Sequence, residues 1–333
     1  MVLVTGATGL VGSHLMIQLL EQNENVRAIY RNASSLEKTQ SLFRSYHKEA
    51  LFENIKWMKA DITDVPSLES AFQDVEFVYH CAALISFDPK DEKKLRKINI
   101  EGTANIVNFC LAYEVKKLCY ISSIAALGDL KANENIISEA TEWNPEATHS
   151  DYAISKYGAE MEVWRGQQEG LSISIINPGV ILGPGFWDTG SGQLFTRVAN
   201  GLSFFTKGTA GFVAVTDVVK AMVQIMKSNI DGERFIVVAE NHSFEKIMNG
   251  VANALKVKPP QIYAKPWMTS LYWKIDWVFS NLFGTERKCS KIMAHSLHQM
   301  LDYSNEKIKT ELQFEFQSIE QTITEVAEYY PKK

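Results

Sequence analysis

Tyr152 and Lys156 stand four residues apart in Asp151-Tyr152-Ala153-Ile154-Ser155-Lys156. On a helix that spacing puts both side chains on one face, a turn apart. An ammonium so placed favours the ionised form of the phenol, lowering a pKa that starts near about 10. The phenol can then give a proton to a carbonyl oxygen as hydride reaches carbon, or take it back in the reverse direction. Such a pair also occurs on plain exposed helices, so its company matters. In Leu118-Cys119-Tyr120-Ile121-Ser122-Ser123 an apolar run ends in two hydroxyls, and the carboxyl end of a buried strand is where parallel sheets present functional groups.

What must position these side chains is legible from the first residue onward. Val2-Leu3-Val4-Thr5 runs straight into Gly6-Ala7-Thr8-Gly9-Leu10-Val11-Gly12, followed by a helical apolar pattern from Leu15 to Leu20. Glycines at this spacing, between a strand and a helix, form a dinucleotide-binding turn. Gly6 and Gly9 admit a pyrophosphate close to the backbone, Gly12 admits the helix close to the strand, and the helix N-terminus supplies oriented N–H groups. Further β-rich runs at Val26 to Tyr30, Ile55 to Lys59, Phe77 to Cys81, Lys117 to Ser122 and Ile173 to Asn177 alternate with helical stretches. This alternation predicts an α/β fold, a Rossmann-type doubly wound parallel sheet. After Gly179 the texture breaks at Gly183, Pro184, Gly185, Gly190 and Gly192. The expected organisation is a nucleotide-binding domain over 1–178 and a smaller, mixed substrate-binding part over 179–333, interleaved with the first.

The second strand bears on the dinucleotide. An acidic residue at its end would bond the adenosine ribose of NAD, but the run reads Val26-Arg27-Ala28-Ile29-Tyr30-Arg31. Arg31, or Arg27 in another register, can pair with a 2′-phosphate instead, so NADP(H) is favoured and NAD(H) stays open. Asp61, in Ala60-Asp61-Ile62-Thr63, follows a strand end where a carboxylate can accept from an adenine amine; a turn or cap role is the plain alternative.

Taken together, the glycine turn, the strand-borne serines and the tyrosine-lysine helix resemble the extended branch of the short-chain dehydrogenase/reductase superfamily, the NAD-dependent epimerase/dehydratase family, from Val2 to about Asp217. His80-Cys81-Ala82-Ala83 and Asn177-Pro178-Gly179 with Gly183-Pro184-Gly185 carry the extended pattern. The Tyr120–Ala125 and Asn177–Gly185 segments, with Tyr303-Ser304-Asn305-Glu306-Lys307-Ile308, resemble dihydroflavonol reductases and 3β-hydroxysteroid dehydrogenases. The resemblance implies Tyr152 as acid/base, Lys156 as tuner of its pKa and ligand of the nicotinamide ribose, and Ser123 as the hydroxyl orienting the substrate oxygen, with Ser122 its understudy. It implies cofactor contacts at Gly6, Thr8, Gly9, Leu10, Val11, Gly12, Arg31, Asp61, Ile62, Ala82, Ala83, Asn99, Ser122, Pro178, Gly179 and Val180. Asn99 takes the family's asparagine position, as a proton relay or as a residue fixing the sheet. A homodimer through the helices carrying Asn99 and Tyr152 is also implied.

The expected reaction is therefore reduction of a ketone or aldehyde, or its reverse. Nucleotide-sugar epimerisation is the second reading: Arg197 and Arg234 are isolated, leaving no arginine cluster for a diphosphate sugar. Elimination fits less, since Ile124-Ala125 beside Ser123 cannot protonate a leaving hydroxyl. A nucleotide sensor without turnover is the reading from outside enzymology. Ser86, Phe87, Phe186 and Trp187 are candidate substrate contacts that favour an apolar or aromatic small molecule, with lid or core packing as the alternative. Asp217, in Val215-Thr216-Asp217, reads as a helix cap.

Composition excludes other classes. A formal charge of −5 and a sequence pI near 5.9 leave no basic excess for nucleic acid. Cys81, Cys110, Cys119 and Cys289 lack metal-type spacing, so no metal and a reducing, cytoplasmic setting are expected. The first strand begins at Val2, leaving no room for a secretion signal, and no run has the roughly 18 apolar residues of a span. Behind Pro266, residues 267–283 hold Trp267, Leu271, Tyr272, Trp273, Trp277, Val278, Phe279, Leu282 and Phe283, followed by Arg287, Lys288 and Lys291. They predict a helix. Burial over the substrate site is the leading reading for it; peripheral membrane contact across 267–291 and an oligomer surface are the others.

Overall fold

The computed structural model describes residues 1–131, 133–283, 287 and 289–331. Lys288 lies outside them, as does the side chain of Phe283. Six strands fall where alternation places them: β1 (Val2–Thr5), β2 (Val26–Tyr30), β3 (Lys56–Lys59), β4 (Phe77–His80), β5 (Lys117–Ile121) and β6 (Ile173–Pro178). The remaining strands are β7 (Val180–Leu182), β8 (Phe204–Phe205), β9 (Thr209–Ala214), β10 (Glu233–Val237), β11 (Glu240–Ser243) and β12 (Ile262–Tyr263). The main sheet has seven parallel strands in the order β10-β6-β5-β4-β1-β2-β3. Its seventh strand, β10, comes from well beyond the six legible ones and pairs in parallel with β6. A smaller mixed sheet, β11-β9-β7, and the β12-β8 pair complete the strands.

Helices cover both faces of the main sheet, as parallel strands buried on both sides require. On one face Leu15, Met16 and Leu19 of the helix Leu10–Glu21 meet Val218, Met222 and Ile225 of the helix Val215–Lys227, over Val4, Ala28 and Ile176. On the other, Ile106, Val107 and Cys110 of the helix Gly102–Ala112 pack with Ala159 and Val163 of the helix Asp151–Gln168 over Leu3, Val78, Leu118 and Ile175. Strand order reverses between β1 and β4, which lie side by side with Thr5 opposite His80. Their carboxyl ends therefore open a crevice at the switch point, where open α/β sheets bind ligands.

The helix at Pro266–Phe283 forms where expected, with the proline at its first position. Its burial does not follow: Trp267, Leu271, Ile275 and Leu282 are all exposed. The leading expectation, a helix buried over the substrate site, is corrected. Among the described residues no helix is long and apolar enough to cross a membrane.

Candidate active site

The glycine turn sits at the switch point. Gly6 adopts φ +64°, and a Cβ there would lie 2.5 Å from the backbone of Cys81 and Ala82, so only glycine lets β1 turn against the end of β4. At Gly12 a Cβ would lie 2.3 Å from the Gly6 carbonyl oxygen, which fixes how close the helix starts to the strand. Gly9 caps that helix with no side chain. Among the described residues no acceptor is recorded for the N–H groups of Leu10 and Val11, while Ser13 N–H already reaches the Gly9 carbonyl at 2.9 Å. Thr8, Gly9, Leu10 and Val11 are part-exposed between buried neighbours. Free amides at a helix N-terminus beside a side-chain-free cap fit a dinucleotide pyrophosphate.

The reacting groups converge on the carboxyl ends of β5 and β6. Ser150 caps the helix Asp151–Gln168, accepting from Ala153 N–H at 3.1 Å, which sets Tyr152 in the first turn. Burial pushes the Tyr152 phenol up, and the neighbouring Ser123 hydroxyl opposes this. Ser123, just past β5, also caps a short 3₁₀ turn by accepting from Ala125 N–H at 3.1 Å. Adjacent serines on an extended backbone diverge. Ser123 meets Tyr152, whereas Ser122 is buried on the side of Glu160. Ser122 is thereby corrected from a cofactor contact to a buried neighbour of Glu160.

Lys156 is fully buried, and its ammonium donates to the Tyr120 hydroxyl at 2.6 Å and the Ile121 carbonyl at 2.8 Å. Burial brings its pKa down to about 7, with Glu160 opposing. The expected lowering of the Tyr152 pKa by Lys156 is thus not what the arrangement provides: a desolvated ammonium satisfies itself on the strand, and Ser123 is the group that favours the phenolate. Tyr120 stacks on His80 with ring centroids 5.3 Å apart. His80 bridges Thr5 Oγ1 at 2.6 Å and Thr103 Oγ1 at 3.0 Å, and burial drives it down to about 3, so the imidazole is neutral.

Glu160 was not singled out from sequence, and His80 and Tyr120 entered only as members of family motifs. Glu160 accepts from Asn177 Nδ2 at 2.6 Å and lies 3.4 Å from Arg234, wholly buried. A signal for it existed: Tyr152, Lys156 and Glu160 continue one four-residue spacing, hence one helix face turned to the sheet. The same Asn177 amide donates to the Ser123 carbonyl at 3.0 Å, so Glu160 helps fix the segment that carries Ser123.

Other expected residues divide. Arg31 is exposed just past β2, with no acidic partner among the described residues. Arg27 is spent on the carbonyls of Ala71 and Gln73, so the alternative register is closed. Asp61 accepts from the N–H and hydroxyl of Thr63, each at 2.9 Å, in a turn role, and the Ile62 side chain is core. Ala82 N–H is held by Thr5 Oγ1 at 3.2 Å, and Ala83 is exposed beside it. Pro178 ends β6, Gly179 passes too close to Gly211 for a Cβ, and Val180 starts β7. Asn99 lies in a π-helical turn, Arg96–Glu101, its Oδ1 accepting from Leu84 N–H at 2.7 Å and its Nδ2 donating to Leu84 and Ser155. Every polar atom of that amide is engaged, so Asn99 fixes the loop after β4 and is corrected as a cofactor contact.

The substrate candidates separate likewise. Phe87 is half-exposed and meets Tyr152 edge-on at 5.7 Å between ring centroids. Ser86 shapes the same loop, donating to Asp91 at 2.8 Å. Phe186 is buried in the main core, and Trp187 packs on Phe195 and Tyr330. These two are corrected from substrate contacts to packing residues, because the glycine-rich turn after β7 folds them back into the core. Asp217 is not a capping oxygen for its own helix; it accepts from Gln317 N–H at 2.9 Å.

A doubly wound sheet with this glycine turn at its switch point and a Ser-Tyr-Lys set at its carboxyl edge defines an extended short-chain dehydrogenase/reductase fold. The model of the NAD dependent epimerase/dehydratase family matches residues 2–239, and the chain belongs to that family. It is similar to sterol demethylase protein B of Methylococcus capsulatus, 29% identical over 79% of this chain and 77% of that one. A putative dihydroflavonol 4-reductase of Synechocystis is 27% identical over 98% of this chain and 93% of its own length. The crystal structure of gox2253 superposes with a TM-score of 0.81 at 26% identity, covering 99% of this chain and 97% of that one.

Proposed function

We propose that this protein is an NADP(H)-dependent reductase or dehydrogenase acting on the carbonyl or alcohol of an apolar or aromatic small molecule. One observation carries the reading: Ser123 and Tyr152 meet beside the exposed ring of Phe87, at the carboxyl edge of a sheet whose switch point holds free helix-terminal amides. When bound, a nicotinamide dinucleotide supplies or accepts the hydride. The Leu10 and Val11 amides and Gly9 would hold its pyrophosphate, and Arg31 a 2′-phosphate. Tyr152 gives its phenolic proton to the substrate oxygen as charge develops there, Ser123 orients that oxygen, and Lys156, one turn along, holds the Tyr120 hydroxyl and the Ile121 carbonyl at the end of β5. The same steps reversed oxidise an alcohol.

Support for NADP(H) is the exposed, acid-free Arg31 and the lack of a carboxylate at the end of β2. Support for reduction over epimerisation is the commitment of Arg234 to the Glu139 carbonyl and Glu160, and of Arg197 to Gln193, which leaves neither for a diphosphate sugar. The Synechocystis relative, named a putative dihydroflavonol 4-reductase, supports the same reading. We infer a reducing, cytoplasmic setting, which four free thiols suit, and a homodimer through the helices carrying Asn99 and Tyr152.

The test is NADPH consumption by the purified protein on aromatic and steroid-like ketones, with Tyr152→Phe beside it. Turnover should fall about 10²- to 10⁴-fold while NADPH binding persists. Interconversion of a nucleotide sugar without net NADPH use would favour the epimerase, and cofactor binding without turnover on either class would favour the sensor.

A further inference from the structure

The helix Pro266–Phe283 is inverted relative to an ordinary surface helix. Its inward stripe is Thr269, Trp273, Asp276 and Ser280, part or wholly buried. Asp276 accepts from Cys289 N–H at 3.2 Å and lies 3.9 Å from Arg287. The outward stripe is Trp267, Leu271, Ile275, Val278 and Leu282, between 42% and 72% exposed. Spacings of four, four, three and four put these five residues on one continuous face. Contiguous exposed apolar surface of this kind marks a contact site.

Charge says what the contact is. Residues 251–300 hold seven Lys and Arg against two Asp and Glu, a local excess of five positive charges in a chain whose formal net charge is −5. Lys256, Lys258, Lys265, Lys274 and Lys291 are exposed and have no acidic partner among the described residues. We propose that this face docks on an anionic lipid bilayer, the helix lying in the interface with its apolar stripe among the acyl chains and the lysines at headgroup level. A second copy fits poorly. A two-fold contact sets a patch against itself and would bring those lysines face to face. The helix is too polar on its inward side to span. Trp267, Tyr272 and Trp277 suit the interfacial depth, each offering an apolar ring with a polar edge. Lys90 Nζ donates to Ser280 Oγ at 3.2 Å, tying the helix to the loop that carries exposed Ile85 and Phe87. The docked face and the mouth beside Tyr152 would thus share one side of the molecule.

The experiment is flotation of the full chain with vesicles of phosphatidylcholine alone and of phosphatidylcholine containing roughly a third phosphatidylglycerol. It reads binding, so it stands or falls separately from the catalytic proposal. Co-flotation should require the anionic lipid, weaken with salt, and give a blue shift of tryptophan emission. Lys265→Glu with Lys274→Glu should lower the partition coefficient by at least about fivefold per lysine, and Leu271→Asp with Ile275→Asp should abolish binding while the thermal melt is kept. Equal flotation with both vesicles, or equal flotation of wild type and variants, would overturn the proposal. So would light scattering showing an oligomer that Leu271→Asp dissociates, without vesicle binding, which would give this face to a second copy.

Discussion

Alanine at Gly9 and at Gly12 should separate cofactor binding from folding within a span of four residues. A Cβ on Gly9 meets only the Gly6 carbonyl oxygen, at 3.4 Å, an ordinary contact, and the backbone there, φ −103° and ψ 176°, suits any residue. The fold therefore loses only a preferred N-cap, about 1 kcal/mol, equivalent to a few degrees in Tm. The same Cβ stands where a phosphate would approach the Leu10 and Val11 amides. Holding it off one charge-assisted N–H bond costs roughly 1.5–3 kcal/mol, about 10- to 100-fold in Kd. At Gly12 the Cβ would sit 2.3 Å from the Gly6 carbonyl, against backbone that cannot yield. Gly12→Ala should lose about 1–3 kcal/mol of stability from overpacking as well as binding. Titration of NADPH fluorescence beside a thermal melt reads both quantities. If Gly9→Ala binds within twofold of wild type, the turn is not where the pyrophosphate rests and the cofactor argument fails.

Three further outcomes are expected. Arg31→Ala should weaken NADPH at least about 10-fold and leave NADH within twofold, as loss of a charge-assisted phosphate bond predicts; equal effects on both would detach Arg31 from cofactor choice. Phe186→Ala should destabilise by about 3–5 kcal/mol as a core deletion, with KM unchanged, whereas Phe87→Ala should leave the melt alone and raise KM; the opposite pattern would return Phe186 to the substrate site. His14, buried against the Leu10 carbonyl and Tyr46, is held down to about 4 by desolvation. Below its unfolded pKa of about 6.5 the unfolded chain therefore binds the extra proton, and this histidine's contribution to stability falls from pH 7 to pH 5 by about 2 kcal/mol. Urea midpoints compared with a His14→Gln variant isolate that histidine, because buried His80, held down by burial with the same sign, and the buried carboxyl groups of Glu160 and Asp217, held up by burial with the opposite sign, cancel in the difference. A variant whose slope matches wild type would refute the linkage.

The main sheet was legible because its strands are local events. Val2–Thr5 and Lys117–Ile121 are short apolar runs bounded by turn residues, and no distant partner is needed to recognise them. Glu233–Val237 opens with two charged residues and becomes a sheet strand only by pairing with β6, which no local pattern announces. The glycine turn and the Ser123–Tyr152 pair were readable for the same reason: each depends on spacing within one or two elements. Side-chain direction was not. Whether Arg27 or Arg31 reaches outward, whether Phe186 faces ligand or core, and where a buried lysine finds acceptors are settled by tertiary packing. The aromatic helix shows this most plainly, since its composition implied burial and its inward stripe proved to be the polar one.

The seventh strand has a consequence for how the protein is made. β6 is buried along its whole length, and the edge it offers to β10 stays unpaired until Glu233–Val237 has been synthesised, ending 59 residues after Pro178. At about 5–20 residues per second that interval is roughly 3–12 s. During it, a nascent chain that already holds the nucleotide turn and both reacting side chains carries an open apolar strand edge, the usual template for mispairing between chains. Ribosome-stalled lengths just short of β10 are where this protein should most need a chaperone.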